Sequence, residues 1–228
     1  MNTPLKNIIN PYKTRFFNLL TSTFKNSNNL IELSKLDKLN IKHVLVTRPN
    51  HRLGNQLLMS PLIKIIESEF PNCKIHLLVN GDLSNVLYEN YSNVEHIYNL
   101  PKKPFINIIK YIKVSLSVIL NKYDLAIAGI ENSNSSKIFV KLSRSKFKIF
   151  DSGNKINSPK HISKKPIYNL LNYIYPEKHI ENYPKLEIKL TNSEILNGKD
   201  ILSNLFANKV VIIAVFTNAT GDKKIFLN

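Results

Sequence analysis

From His43 onward, hydrophobic and polar positions alternate in blocks that read as strands and helices in turn. "HVLVTR" (43–48) is a β-branched apolar run, the pattern of a strand buried on both faces. The following stretch places Leu57, Leu58, Leu62, Ile65 and Ile66 on one face of a helix. Pro61 inside it leaves the Leu57 carbonyl without its amide partner, which predicts a kink or irregularity there. "FPNCKIHLLVN" (70–80) supplies a turn and a second strand, "LSNVLYENYS" (83–92) a short helix, and "VEHIYNL" (94–100) a third strand. "PFINIIKYIKVSLSVILNK" (104–122) reads as a longer helix led by a proline suited to a first turn. "YDLAIAG" (123–129) is a fourth strand, "ENSNSSKIFVKLSRS" (131–145) a helix with Ser/Asn capping residues, and "FKIF" (147–150) a short fifth strand. Strands separated by helices on short connections imply right-handed βαβ units, hence an α/β fold with a doubly wound parallel sheet.

The pattern differs at both ends. In residues 1–40, Phe16, Leu19, Leu20 and Phe24 fall at helical spacing beside Lys13, Arg15 and Lys25. Such a basic amphipathic extension either docks on its own protein or lies on an anionic membrane. After Phe150 come a polar loop, a helix around "IYNLLNYIYP" (167–176), an extended connector and a further helix over "EILNGKDILSNLFANK" (194–209). "KVVIIAVF" (209–216) is then a strand of buried type close to the last residue, Asn228. A parallel strand of that kind needs neighbours on both sides. It either joins the first sheet or opens a second domain.

Composition narrows the setting. A hydrophobic fraction of 43% over 228 residues supports a real core. A single cysteine, Cys73, excludes an intramolecular disulfide framework and a multi-cysteine zinc site, and fits a reducing compartment. No secretory leader pattern and no apolar run of membrane-spanning length is present, so the expected location is cytoplasmic. The net charge of +16 favours an anionic partner, although Lys-, Asn- and Ile-rich composition also follows from AT-rich coding. The lysines are scattered and no nucleic-acid-binding motif appears, so nucleic acid is not the expected partner.

"VLVTRPNHRLGNQLLMSPLIKIIESEFPNCKIHLLVN" (44–80), "NVLYENYSNVEHIYNL" (85–100), "YDLAIAG" (123–129) and "VVIIAVFTNATGDKK" (210–224) together resemble, in order and spacing, glycosyltransferase family 9, the heptosyltransferase-like enzymes of bacterial surface polysaccharide assembly. The resemblance implies a GT-B arrangement of two Rossmann-like domains, one receiving the acceptor and the other holding the nucleotide-sugar. It divides the chain into an N-terminal extension (1–40), an acceptor-side Rossmann-like domain (41–182), a connector (183–207) and the first strand and phosphate loop of a donor-binding domain (208–228). By that comparison the chain is truncated early in its C-terminal domain, which leaves an uncovered apolar interface and an expectation of self-association.

Glycosyl transfer needs a base near the acceptor hydroxyl and cationic or amide donors near the leaving diphosphate. In "RPNHRLGNQ" (48–56), Gly54 suits close backbone approach to a ligand, and Arg48 and Arg52 suit an acceptor phosphate or carboxylate. The family resemblance implies an aspartate base after this glycine, where the present chain has Asn55. An amide takes up no proton at neutral pH. Three readings stay open: His51 is the base, Asn55 only orients the acceptor, or catalysis is lost. Glu131, just past the fourth strand, is a further acceptor-side candidate; Asp82 is equally a helix cap, and Asp124 reads as structural. In "TNATGDKK" (217–224), the resemblance places Thr217, Thr220 and Gly221 at the donor diphosphate, with Lys223 neutralising it. No residue group has metal-ligand spacing, and the family's chemistry calls for no bound metal or cofactor beyond the nucleotide-sugar. The expected activity is sugar transfer to lipopolysaccharide or another cell-surface glycan, in the cytoplasm or peripherally on the inner face of the inner membrane. The alternative is a non-catalytic fragment or acceptor-binding module.

Overall fold

The computed structural model describes residues 40–205 apart from 82, 104–105, 132, 151–157 and 177–179. The amphipathic extension, Asp82 and the donor-loop candidates lie outside the described residues. The chain divides into two compact units, the second beginning at Leu190.

The first unit is a three-layer α/β fold. Its strands are β1 (His43–Thr47), β2 (Lys74–Asn80), β3 (Val94–Leu100), β4 (Lys122–Ala128) and β5 (Arg144–Ile149). They form one parallel sheet in the order β3-β2-β1-β4-β5, the doubly wound Rossmann-like arrangement. β1 is central, with Val44 opposite Ile75 on one side and Leu125 on the other. Its apolar run is buried because helices cover both faces.

On one face lie α1 (Leu53–Leu57), α2 (Ser60–Glu69), α3 (Leu83–Tyr88) and α6 (Lys164–Ile174), which pack Met59, Leu62, Ile63, Ile66, Tyr88, Ile167 and Leu170 against Val44, Val46, Leu77 and Ile127. On the other lie α4 (Ile108–Leu120) and α5 (Asn134–Leu142), whose Val118, Phe139 and Val140 meet Leu45, Leu78 and Ala126. The irregularity expected at Pro61 is a complete break. The first helical segment ends at Leu57, and α2 starts at Ser60 with the proline in its opening turn, where the missing amide costs nothing. α4 begins four residues after Pro104, because the amides of Ile106 and Asn107 both turn back to the Lys103 carbonyl. Ser133 caps α5, its hydroxyl accepting from the Ser136 amide at 3.2 Å.

The extended segment that follows α6 is tied down by its backbone. Glu187 N donates to Ser60 Oγ at 3.0 Å, the Tyr91 hydroxyl donates to Glu187 O at 2.9 Å, and Lys189 pairs with Glu67. The second unit's described helix, α7 (Asn192–Leu205), opens with a capping box. The Thr191 hydroxyl accepts from Glu194 N while Glu194 accepts from Thr191 N at 2.7 Å. No helix of the described residues is long and apolar enough to cross a membrane.

Asp124 fastens the N-terminal edge of the sheet. Its carboxylate accepts from the amides of Lys42 and His43 at 2.9 and 3.0 Å and pairs with Lys146 at 2.7 Å. Burial pushes its pKa up, but the Lys146 ammonium and the two amides outweigh that and hold it below the usual value. A depressed carboxylate stabilises the fold above its unfolded pKa of about 3.9, and that contribution is lost as pH falls through the lower folded value. Urea titration of Asp124→Ala should show a loss of about 1.5–3 kcal/mol at neutral pH that shrinks toward zero in acid.

Candidate functional site

An open parallel sheet binds ligands beyond its strand C-termini, where neighbouring connections leave toward opposite faces. In this fold that point lies between β1 and β4. The chain leaves β1 toward α1 and α2 on one face and leaves β4 toward α5 on the other. The crevice is therefore bordered by residues 48–55 and by the turn beginning at Gly129.

The first border is a turn organised by Asn50. Its amide donates to the Arg48 carbonyl at 2.7 Å, and its side-chain oxygen accepts from the Arg52 amide at 2.9 Å and from Asn55 Nδ2 at 3.3 Å. Below it, the buried Gln56 donates through Nε2 to the carbonyls of Asn50 and Asn80, at 2.9 and 3.1 Å, and the Tyr88 hydroxyl donates to the Gln56 carbonyl. Helix start, β1 turn and β2 end are thus held by one amide side chain. The turn presents His51, Arg52 and Gly54 to solvent and leaves Asn55 half-buried.

Arg48 goes the other way. It is fully buried, and its Nη1 donates to the Gly129 carbonyl at 2.6 Å, joining the C-terminal ends of β1 and β4. Among the described residues its Nε and Nη2 have no hydrogen-bond partner, nor do Gln56 Oε1 and Asn80 Oδ1. Desolvation lowers the guanidinium pKa to about 10, with Tyr88 opposing, so the group stays charged at neutral pH. The expectation of a solvent-facing anion ligand thus meets a charged strut under the crevice floor. Gly129 is needed beside it. A Cβ there would sit 3.1 Å from the Thr47 carbonyl and 3.4 Å from Arg48 Cβ. Thr47 and Ser136 complete the junction, hydroxyl to hydroxyl at 2.7 Å.

Glu131 is also buried, and its carboxylate pairs with Lys165 at the start of α6. Gln56, Tyr88, Ser136 and Lys165 were not singled out from sequence. Gln56 alone carried a readable signal, as a polar residue on the apolar side of its helix. Gly54 has negative φ and open space where a Cβ would go, so nothing in the fold demands glycine there.

Two other reactive groups are accounted for within the fold. His43, His76 and Glu95 bring their ligand atoms within 4.8 Å of one another at the opposite, N-terminal edge of the sheet. His43 Nδ1 meets His76 Nε2 at 3.1 Å, that nitrogen lies 3.5 Å from Glu95 Oε2, and Glu95 Oε1 is ion-paired with Lys74. The Cys73 thiol is buried, and desolvation, with Glu67 adding, pushes it up to about 12, away from nucleophilic use.

The fold and its crevice define a Rossmann-like α/β class, and the resemblance to solved structures falls within it. The glycosyl transferase family 9 protein from Veillonella parvula DSM 2008 superposes with a TM-score of 0.52 at 15% identity, over 73% of this chain and 51% of that one. E. coli heptosyltransferase WaaC with ADP gives 0.43 at 12% identity, over 73% and 48%. The same enzyme with ADP-2-deoxy-2-fluoro heptose gives 0.41 at 13%, over 75% and 50%. The likeness is one of fold, and the chain spans about half the length of these structures. No protein-family model and no curated protein matches the sequence.

Two substitutions separate scaffold from surface. Arg48→Ala should lose about 2–4 kcal/mol in urea denaturation through the cavity and the lost Gly129 bond, whereas Arg48→Met should stay within about 1 kcal/mol of wild type, since it fills the space and removes a desolvated charge. Gly54→Ala should gain up to about 1 kcal/mol from helix propensity. Any loss of ligand binding in that stabilised variant, measured by calorimetry, then reports close backbone approach of the ligand.

Proposed function

We propose that this chain forms the acceptor side of a GT-B glycosyltransferase that moves a sugar from a nucleotide-sugar to lipopolysaccharide or another cell-surface glycan. The observation that carries this reading is the polar turn 50–55, exposed at the β1/β4 switch point of a Rossmann-like sheet. His51 is the nearest titratable group on that turn and takes the acceptor proton. Asn55, anchored through Asn50, orients the acceptor hydroxyl. Arg52 meets an acceptor phosphate or carboxylate, and Arg48 holds the crevice floor with a positive charge that favours anions. The Glu131–Lys165 pair fixes the far border. Thr217, Thr220, Gly221 and Lys223 form the donor-phosphate loop in this proposal. The work is cytoplasmic, against the inner membrane where such acceptors are assembled.

The test is the purified chain with a panel of nucleotide-sugars and lipopolysaccharide-type acceptors, read as nucleoside diphosphate release and acceptor mass shift. Transfer should appear and fall about 10²–10⁴-fold in kcat for His51→Ala, while Arg52→Ala raises KM with kcat retained. Asn55→Asp discriminates further. A rise in rate places the base at that position, and an unchanged rate leaves it with His51. Absence of both transfer and glycan binding sinks the reading.

A second reading has one observation in its favour: Asn55 stands where the family resemblance calls for a carboxylate. In that reading the chain is an acceptor-binding module. Calorimetric glycan binding without transfer, unaltered by Asn55→Asp, selects it.

A further inference from the structure

Helix α4 carries apolar side chains on two opposite faces. Tyr111, Val114 and Val118 point into the core beneath it. The other face presents Ile108, Ile109, Ile112, Leu116 and Leu120 to solvent, with Ile106 just ahead, at exposures from 48% for Leu116 to 71% for Ile106. Positions 109, 112, 116 and 120 recur at helical spacing, so they form one continuous stripe rather than scattered residues. A surface helix needs no such outer face for folding, and a contiguous apolar patch of this kind marks an interaction surface.

Charge identifies what covers it. Lys102, Lys103, Lys110, Lys113 and Lys122 all flank the stripe and are all exposed, and residues 101–123 contain no Asp or Glu. A second copy packed about a two-fold axis would set these lysines against themselves. Residues 1–39 of this chain are no better matched, with six basic and two acidic side chains. An anionic bilayer satisfies both features at once: its acyl boundary takes the isoleucines, and its headgroups take the ammonium groups at the ends of their apolar stems. We propose that the outer face of α4 is a lipid-docking surface that lies in the headgroup region of an anionic membrane. At thirteen residues the helix rests on the bilayer and does not span it. Its N-terminal end follows β3, so it stands at the same edge of the sheet as the turn 48–55. A membrane seated there lies beside the crevice. Lipid docking is independent of the sugar-transfer reading, because vesicle binding is measured without donor or acceptor.

The full chain should float with phosphatidylcholine/phosphatidylglycerol vesicles, release at high salt, and fail to float with phosphatidylcholine alone. The combined variant Ile109→Ser/Ile112→Ser/Leu116→Ser should reduce the partition by about tenfold or more, as should Lys110→Glu/Lys113→Glu. These positions are exposed, so circular dichroism and melting should match wild type. The chain contains no tryptophan, so Leu116→Trp adds a single, conservative fluorescent reporter. Its emission should shift to the blue with anionic vesicles only, which covers the case of a variant that folds poorly. Absence of flotation, or an unshifted reporter, overturns the proposal. So does equal flotation of both multiple variants, which assigns membrane binding to residues 1–39. So does a dimer that the apolar variant converts to monomer without change in vesicle binding, which makes the stripe a contact between copies.

Discussion

The structure depends on how the central strand ends. At Thr47–Arg48, β1 has a neighbour on each side, and the chain must leave the sheet without stranding the backbone groups of all three strands. The solution is reciprocal. The Arg48 amide donates to the Leu78 carbonyl at 2.8 Å, the Gly129 amide donates to the Thr47 carbonyl at 2.8 Å, and the Arg48 guanidinium reaches across to the Gly129 carbonyl. The Gln56 amide then binds the loop carbonyl of Asn50 and the last carbonyl of β2. Each bond is ordinary. Because all of them converge where the two connections diverge, the opening of the crevice and the closing of the sheet are one constraint. A charged group in a dry site is the energetic cost of that solution, since Arg48 is desolvated and its five-donor side chain makes one hydrogen bond among the described residues.

That arrangement explains which parts of the molecule were legible in its sequence. Strand and helix order followed from periodicity, because parallel strands buried on both faces must be continuously apolar and the helices between them must be one-sided. The break at Pro61 was equally local, a matter of one absent amide. Arg48 was not legible, because residue type predicts charge but not which way a side chain turns at a strand end. Its position after β4 makes Glu131 an acceptor-side candidate in the sequence. Its commitment to Lys165 depends on a helix more than thirty residues later, which local pattern does not reveal. The start of α7 could have been read, since "TNSE" is a capping box in plain sequence, whereas the apolar run suggested a later start.

The two edges of the sheet differ in how their polar groups are used. At the N-terminal edge Asp124 gathers two amides and Lys146, while Glu95 is taken by Lys74 and His76 by His43. Both carboxylates there are matched by lysines of the same chain. At the C-terminal edge a guanidinium lies buried with donors to spare, and His51 and Arg52 stand in solvent on a turn whose shape is fixed by Asn50. A turn rigidly built to expose polar side chains supports preorganised binding, because little conformational freedom is lost when a ligand arrives.

The same logic connects this edge to the outer face of α4. The helix must be apolar inward to seal the second core, and that requirement is met by Tyr111, Val114, Val118 and Ile119. Ile108, Ile109, Ile112, Leu116 and Leu120 stay exposed among the described residues, and water contact with them is unfavourable by roughly 25 cal/mol for each Å² left uncovered. The net charge of +16 opposes close approach of a second copy to this surface. The same charge draws the surface to an anionic layer, where the apolar stripe and its lysines act together. A crevice at the adjoining sheet edge would meet its acceptor confined to two dimensions, where orientation relative to the turn 48–55 is already restricted before the first contact.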